Sequence, residues 1–503
     1  MQKKLLAAAV LSAFAGVASA QSANVTLYGT LIGSFENASS TGGDSTTAAG
    51  AAGVNSSARG TPVIGAATAG AVGPPVVAGT ASPTAGGVSA GAYTATPANQ
   101  SQRNRMNPAG SNFGLRGTED LGNGLSAWFQ IEIAATLGAP AGSPAGANHG
   151  NAPSYRNSAV GLRSNTWGTV ALGSWDTPFN VLYGTTNANA RTGGPSTTFN
   201  ANLMGATTFG FGAWSSQNVL AAGCTAATGS TAGGCFSAGT NFDRRQNGLV
   251  QWWSPNWNGF ELRTSYATPQ ESNGTTADNR VAGAQKYAIW DLTATYTNGP
   301  LMLGYGYQRQ KDLLSAAVGN FGTVGAGTGT GAWAINSATV SGSTGTGHRL
   351  GGRYAFAMGG GNSIGVGALW ESLKWTLGYT GATAAQAAAG TADLSELKKT
   401  AYRLQANFTT GNHFFGLEYL RANELKGSVT NLAGNSFNGG GTASKGYILS
   451  YNYMMSKRTS LTAFATIVTN DNNANYSGIV FGGVPTAAGG DPKYYGLNLR
   501  HAF

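Results

Sequence analysis

Charged residues are scarce in this chain: Lys, Arg, Asp and Glu together occupy 10% of its 503 positions. Ordinary soluble domains contain about 25% of these residues, so the composition departs from that of a typical soluble protein. The 29 basic side chains outnumber the 19 acidic ones but are scattered among glycines, asparagines and threonines. A nucleic-acid-binding protein would gather its basic residues on one face, and we therefore expect no nucleic-acid partner.

A long hydrophobic run is also lacking. After residue 20, no segment approaches the ~18 consecutive apolar residues of a membrane-spanning helix. The first twenty residues predict a signal peptide, because Lys3 and Lys4 precede an apolar stretch over 5–17 and small residues at 18–20 form a cleavage site. Cleavage would leave residues 21–503 with 27 basic and 19 acidic side chains, a net charge of +8. Such an exported chain is either free outside the inner membrane or a barrel.

Residues that bind metals or act as nucleophiles are few. The only cysteines, Cys224 and Cys235, are close together in an exported chain, which predicts a disulfide within a loop. Zinc would need more ligands than this segment offers. None of the four histidines lies near a convincing nucleophile with an acidic partner, and no phosphate-binding glycine loop with its lysine is present. We therefore expect no enzyme, no metal site and no cofactor.

What the chain does contain is alternation. In the closing stretch, Tyr495, Leu497, Leu499, His501 and Phe503 share one face, and the residues between them are small or polar. Alternation of this kind is typical of a β-strand with one apolar and one polar face. It predicts sixteen strands, over 24–36, 111–117, 125–135, 157–162, 169–175, 246–253, 260–267, 287–296, 301–308, 349–356, 363–373, 400–408, 414–421, 445–453, 459–469 and 493–503.

The connections between these strands alternate between seven short turns and eight long loops. An even strand number places both chain ends, and every short turn, on one side, which is typical of bacterial outer-membrane barrels. A soluble sandwich or propeller has no reason to separate its connections in this way. We therefore predict one all-β domain over 21–503, a transmembrane antiparallel barrel of 16 strands with short periplasmic turns and long extracellular loops.

Two of the long loops stand out. The first, over 37–110, is of low complexity and cannot bury a core. The third, over 176–244, contains both cysteines and several aromatic residues, which favours folding into the lumen as a constriction. Packing against neighbouring loops or against a partner subunit remains an alternative for this loop.

The polar face of the strands predicts the functional site, because a barrel of sixteen strands is wide enough for an aqueous channel. A charge on the lipid side near mid-membrane costs about 2–4 kcal/mol, and nearly all strand charges fall on the polar face. The strands supply the candidate pore-lining residues Arg116, Glu132, Arg263, Arg353 and Arg403. The third loop adds the candidates Asp176, Arg191, Asp243 and Arg244.

Four stretches carry a family resemblance. Residues 111–132 (SNFGLRGTEDLGNGLSAWFQIE) resemble the second and third strands of the general porins of beta-proteobacteria, within the Gram-negative porin family. Residues 157–178 (NSAVGLRSNTWGTVALGSWDTP), the turn over 456–459 and the closing 499–503 are similar to the same family. With the strand count, the resemblance covers nearly the whole mature chain.

This resemblance implies a homotrimer of barrels in the outer membrane of a Gram-negative bacterium, in contact with its lipid and lipopolysaccharide. Each barrel would pass small hydrophilic solutes passively and favour anions. Arg116 and Arg156 stand where the family places lumen arginines, and Phe503 where the barrel-assembly machinery reads the closing residue. The family commonly has Gly-Arg-Gln where this chain has Gly173-Ser174-Trp175, so only weak to moderate anion preference is expected.

Two other functions remain open at this point. A substrate-specific channel would need an aromatic track or a dense basic ladder, and tryptophans 128, 253, 290 and 370 fall on mixed faces. A surface adhesive protein would use the long first loop.

Overall fold

The computed structural model describes the following parts of the chain: 24–41, 100–107, 110–135, 156–192, 219–220, 242–267, 288–311, 317–318, 344–376, 393–430, 441–471, 474, 476 and 490–503. The predicted signal peptide, Cys224, Cys235 and most of the first and third loops lie outside these ranges.

The described residues form twenty strands, one α-helix and one short 3-10 helix. The helices are α1 (Pro178–Thr185) and the 3-10 helix Ala190–Thr192. No helix in the described ranges has the length and apolarity to cross a membrane. The strands are β1 Asn24–Thr41, β2 Gln100–Asn107, β3 Asn112–Gly122, β4 Leu125–Ala134, β5 Ser158–Ser164, β6 Gly168–Asp176, β7 Val219–Leu220, β8 Arg245–Trp253, β9 Phe260–Ala267, β10 Ala288–Asn298, β11 Leu301–Lys311, β12 Ala317–Val318, β13 Thr344–Gly359, β14 Asn362–Thr376, β15 Asp393–Thr410, β16 His413–Ala422, β17 Lys426–Thr430, β18 Ser444–Met454, β19 Thr459–Asn470 and β20 Asp491–Ala502.

Sixteen of these strands close into one antiparallel barrel, as predicted. Each pairs with the next along the chain, and β20 returns to β1 over the register Thr30↔Ala502 to Thr41↔Asp491. Strand β2 pairs with the part of β1 that follows its pairing with β3. Strand β17 likewise pairs with the part of β15 that precedes its pairing with β16. These two strands therefore extend the positions of β3 and β16 in the barrel wall and add no further position. Strands β7 and β12 form a separate two-stranded sheet. Closure satisfies the backbone groups that an open edge would leave unpaired.

The seven short turns all lie on one side of the barrel, as the sequence predicts. The seven short turns contain the residues that tight hairpins favour; Asn123 and Asn258, for example, adopt positive φ of 54°. The strand ends on the opposite side differ from the prediction. Strand β1 continues to Thr41, β2 lies inside the predicted first loop, and β15 begins at Asp393 instead of 400. Backbone pairing continues there through residues without apolar alternation, so the sequence pattern ends before the strands do.

The two faces of the wall differ sharply in polarity. Large apolar side chains on the outward face are exposed, with Leu27, Leu449 and Leu497 at 60%, 55% and 51%. Tyr419 contacts both Tyr402 and Tyr447 at the loop side of this face, and His413 lies against Tyr451 and Tyr453 at the turn side. An apolar belt between two aromatic girdles is typical of a lipid-facing barrel surface.

The first part of the third loop packs against the inner face of the wall. Phe179 and Leu182 of α1 are buried, and their side chains lie over Gly306. Phe242, just before β8, is also buried and packs against Phe179 with 5.8 Å between ring centroids. Glycines on the inner face therefore leave the space that the aromatic side chains of the loop fill.

Replacing Gly347 with valine should disturb this packing. A Cβ on Gly347 would lie 2.7 Å from Phe242 and 3.1 Å from Phe179, so the rings must shift; overpacking of this kind costs about 1–3 kcal/mol. Thermal unfolding followed by loss of strand signal measures the cost. Gly33→Val is the control, because a Cβ at Gly33 meets nothing within 4 Å. Equal melting temperatures for the two variants would contradict the prediction.

Candidate functional site in the barrel interior

Residues 177–192, here called the inner segment, begin with a capped helix. The Thr177 side chain accepts a hydrogen bond from the Asn180 amide at 3.4 Å, and Pro178 occupies the first helical turn. Threonine at the N-cap followed by proline is a favoured helix start. The chain therefore leaves β6 at Asp176 and turns at once into a helix that lies on the inner wall.

Arg349 on β13 binds the inner segment most extensively. Its guanidinium donates to the Phe179 carbonyl at 2.9 Å, to Asp243 at 2.7 Å and to Glu371 at 2.7 Å. It also stacks on the rings of Phe179 and Tyr183, 4.3 Å and 5.4 Å from their centroids. Because Arg349 and Glu371 are fully buried, each charge depends on the other for stabilisation.

Strand β15 binds the next part of the segment through three successive inward positions. Arg403 donates to the Tyr183 carbonyl at 3.1 Å and stacks on its ring at 4.4 Å. Gln405 accepts from the Ala188 amide at 2.9 Å and donates to Asn187 at 2.7 Å. Asn407 donates to the Ala188 carbonyl at 2.9 Å. The segment then reaches β16, where Asn189 donates to the Leu417 carbonyl at 3.1 Å.

A second polar cluster lies on the other side of the barrel, on β1, β3 and β4. The Tyr28 hydroxyl donates to Glu132 at 3.1 Å, and Arg156 forms an ion pair with the same carboxylate at 2.5 Å. Arg116 is exposed and lies over the Tyr28 ring, 5.1 Å from its centroid. Glu132 is thus neutralised by Arg156, whereas the guanidinium of Arg116 faces the interior.

Other interior carboxylates also form ion pairs or accept hydrogen bonds. Asp176 pairs with Arg245 at 3.0 Å. Buried Asp291 accepts hydrogen bonds from Gln308 at 2.7 Å and Ser265 at 3.2 Å. Arg244 is buried beside α1, and its burial lowers its pKa to about 10, with Asp291 opposing the shift. Arg244 therefore remains cationic at neutral pH.

Three tryptophans meet on the inner wall. Trp128, Trp175 and Trp253 have ring centroids 5.5–5.8 Å apart. Arg163 and Arg263 lie over Trp128 and Trp253, at 6.0 Å and 5.6 Å from the ring centroids. Arg263 is also 3.8 Å from Glu261. The rings form a compact cluster and not a track along the channel.

In the described interior, most carboxylates form ion pairs or are buried, whereas several arginines are exposed and form no ion pair. Glu132, Asp176, Asp243 and Glu371 each lie in an ion pair. Exposed arginines on the inner side of the described wall that form no ion pair include Arg116, Arg163, Arg191 and Arg353. The accessible charge of this interior is therefore positive.

The family of the chain follows from its sequence. Residues 7–474 match the sequence model of the family described as Gram-negative porin. The chain belongs to the Gram-negative porin family. It is 27% identical over 209 residues to an outer membrane porin protein of Bordetella pertussis, and 29% identical over 217 residues to outer membrane porin protein 32 of Delftia acidovorans. These alignments cover 40% and 42% of this chain, and 42% and 47% of the relatives, less than half of each relative's length.

The fold of this porin is also similar to a solved structure. The anion-selective porin from Comamonas acidovorans superposes with a TM-score of 0.54 and 19% sequence identity. The match covers 96% of this chain and 100% of that chain. At this identity the likeness shows the barrel fold shared by the two chains.

The ten charged candidates of this porin fall into three groups. Exposed on the inner side are Arg116, Arg191 and Arg353. Held in ion pairs are Glu132, Arg156, Asp176, Asp243 and Arg263. Buried are Arg244 and Arg403. The position of this last pair differs from the predicted pore lining. Tyr183 and Thr186 of the inner segment contact the Arg403 side chain, and the Arg244 carbonyl accepts hydrogen bonds from Thr177 and Asn180.

The remaining predicted site residue, Phe503, lies at the seam of the barrel. Its backbone exchanges hydrogen bonds with Gly29 at 3.1 Å and 3.2 Å, so it completes the closing pair of strands.

The sequence prediction missed Arg349 and Arg163. The strand alternation could have identified both as inward-facing. Arg349 shares the inner face with Arg353, four residues later, and Arg163 follows the outward-facing Leu162, so it points to the opposite, inner face. The helix start was also readable in Thr177 and Pro178.

Proposed function

We propose that this porin forms a water-filled channel in the outer membrane through which small hydrophilic solutes and ions diffuse passively, with a weak to moderate preference for anions. The observation that carries the proposal is the charge state of the interior. Its described carboxylates are mostly paired or buried, while Arg116, Arg191 and Arg353 expose their guanidinium groups. Rings of accessible charge of one sign select ions of the other sign.

The inner segment supports a constriction within this channel. It leaves the wall at Asp176 and contacts β13, β15 and β16 from inside, which narrows a lumen that sixteen strands would otherwise leave open. Family membership favours a channel over an enzyme. The name of the Comamonas relative, an anion-selective porin, agrees with the sign of the accessible charge.

The resemblance of the sequence motifs supports two further parts of the proposal. The protein assembles as a homotrimer in contact with outer-membrane lipid and lipopolysaccharide. The barrel-assembly machinery inserts it and reads Phe503. The Cys224–Cys235 disulfide also stays a prediction, which free thiols in the unreduced protein would contradict.

Reconstitution into planar bilayers tests the channel. In a tenfold KCl gradient we expect the dilute side to become negative, because chloride crosses faster than potassium. Conductance should rise in steps grouped in threes if the channels insert as trimers. Heat-denatured protein is the control. A dilute side that becomes positive would overturn the anion preference, and an absence of conductance would overturn the channel.

A further inference from the structure

The outward face of the barrel carries a groove of about 590 Å³ on strands β14, β15, β16, β18 and β19. The small side chains of Ala406, Ala463 and Ala465 form its floor, and larger side chains such as Phe415 and Leu449 form its sides. The groove is almost wholly apolar and lies within the lipid-facing belt. Its size and lining suit a hydrocarbon chain.

The groove lies in the turn-side half of the wall. Tyr451 pairs across the strands with both Phe415 and Ala463, and the β18–β19 turn begins a few residues further along. The His413 ring nitrogen and the Tyr451 hydroxyl are hydrogen-bonded at 2.8 Å between the groove and the turns. Tyrosine and histidine at this depth are typical of the level where acyl chains meet headgroups.

Two basic residues lie in the turn next to the groove. Lys457 and Arg458 lie in the β18–β19 turn, both exposed, and neither forms an ion pair with a carboxylate in the described part of the chain. Arg458 precedes Ala463 by five positions, about 16 Å along a strand at ~3.3 Å per residue, or roughly 12 Å of depth at a tilt of ~45°. Ala463 lies in the turn-side half of the wall, and half of the ~30 Å hydrocarbon core is about 15 Å. A further ~12 Å of depth from Ala463 therefore brings the basic pair to about headgroup level.

We propose that this groove is a binding site for an anionic phospholipid of the periplasmic leaflet. One acyl chain lies over Ala406, Ala463 and Ala465, and the phosphate is held by Lys457 and Arg458. An acyl chain is flexible enough to follow an irregular groove, and a negatively charged headgroup complements the basic turn. The inference rests on the proposed membrane location and goes beyond channel activity.

Native mass spectrometry of the full detergent-extracted protein tests the site. We expect phosphatidylglycerol to bind roughly five- to thirtyfold more tightly than phosphatidylethanolamine with the same chains, since each basic residue contributes on this scale to anionic lipid binding. The double variant Lys457→Gln/Arg458→Gln should lose this preference. Arg309→Gln/Lys311→Gln is the matched control, because it removes two exposed charges at the opposite rim and should leave the preference intact.

A second variant tests the chain-binding part. Ala463→Trp fills the groove and should weaken binding of both lipids about tenfold, whereas Val250→Trp, on the outward face of β8, should not. Equal affinity of the wild type for the two lipids, or an unchanged preference in Lys457→Gln/Arg458→Gln, overturns the proposal. Loss of subunits from the assembly in Ala463→Trp also overturns it, because a second copy would then occupy the groove.

Conductance of the same preparations separates the two proposals. Protein that conducts but does not distinguish the lipids overturns the lipid site alone. Protein that distinguishes the lipids but does not conduct overturns the channel alone.

Discussion

Replacing Arg349 with methionine should loosen the inner segment and lower the stability of the barrel by about 3–5 kcal/mol. The change leaves Asp243 and Glu371 as buried carboxylates without their shared guanidinium, and the Phe179 carbonyl without its donor. Breaking one partner of a buried charge pair is costly because the remaining carboxylates stay buried after they lose the guanidinium, and the attraction of nearby Lys399 offsets only part of that loss. As the helix leaves the wall, single-channel conductance should rise. Thermal unfolding and bilayer recordings measure the two effects.

Arg353→Met is the matched control for this experiment. Arg353 lies on the same strand and face, but it is exposed and makes one hydrogen bond, to the Thr185 carbonyl at 3.2 Å; its loss should cost no more than about 1 kcal/mol. Arg349→Lys should fall between the two, since it keeps the charge but loses the forked geometry. If Arg349→Met and Arg353→Met melt and conduct alike, the inner segment does not depend on Arg349.

The contrast between Arg349 and Arg353 shows how far the sequence could predict this site. A period of two places both arginines on the inner face, and together with the alternation of short and long connections it predicts a closed barrel of sixteen strands. It cannot distinguish a buried arginine from a free one, because the difference lies in whether α1 covers the side chain. That covering depends on contacts more than a hundred residues apart in the sequence, such as Phe179 with Arg349.

The contact among the three tryptophans could not be predicted from the sequence either. Trp128, Trp175 and Trp253 lie on three strands and have no common sequence pattern. Their rings meet because Gly161, on the strand between, has no side chain; the indole nitrogen of Trp128 occupies the space that a Cβ there would need. The sequence shows the tryptophans and the glycine, but only the register of β4, β5 and β6 shows that they are neighbours.

Charge reversal at Arg116 should produce the largest change in ion selectivity. Arg116→Glu replaces an exposed guanidinium on the inner face with a carboxylate, a change of two charges beside Tyr28. At 4 Å, a charge contributes about 1 kcal/mol in water, so we expect the chloride-to-potassium permeability ratio to fall roughly three- to tenfold. Zero-current potentials in a KCl gradient measure the ratio. The effect should weaken in 1 M salt, where the screening length shortens to about 3 Å.

Glu132→Gln should shift the same ratio in the opposite direction. It removes the carboxylate that neutralises Arg156 at 2.5 Å and keeps an acceptor for the Tyr28 hydroxyl, so a second guanidinium becomes available to anions. The expected rise is smaller, because one charge changes instead of two. Arg309→Glu controls for charge on the outward face and should leave the ratio unchanged. If Arg309→Glu lowers the ratio as much as Arg116→Glu, the potential of the whole surface sets the selectivity; if only the inner pair responds, with opposite signs, the selectivity arises at the cluster around Tyr28.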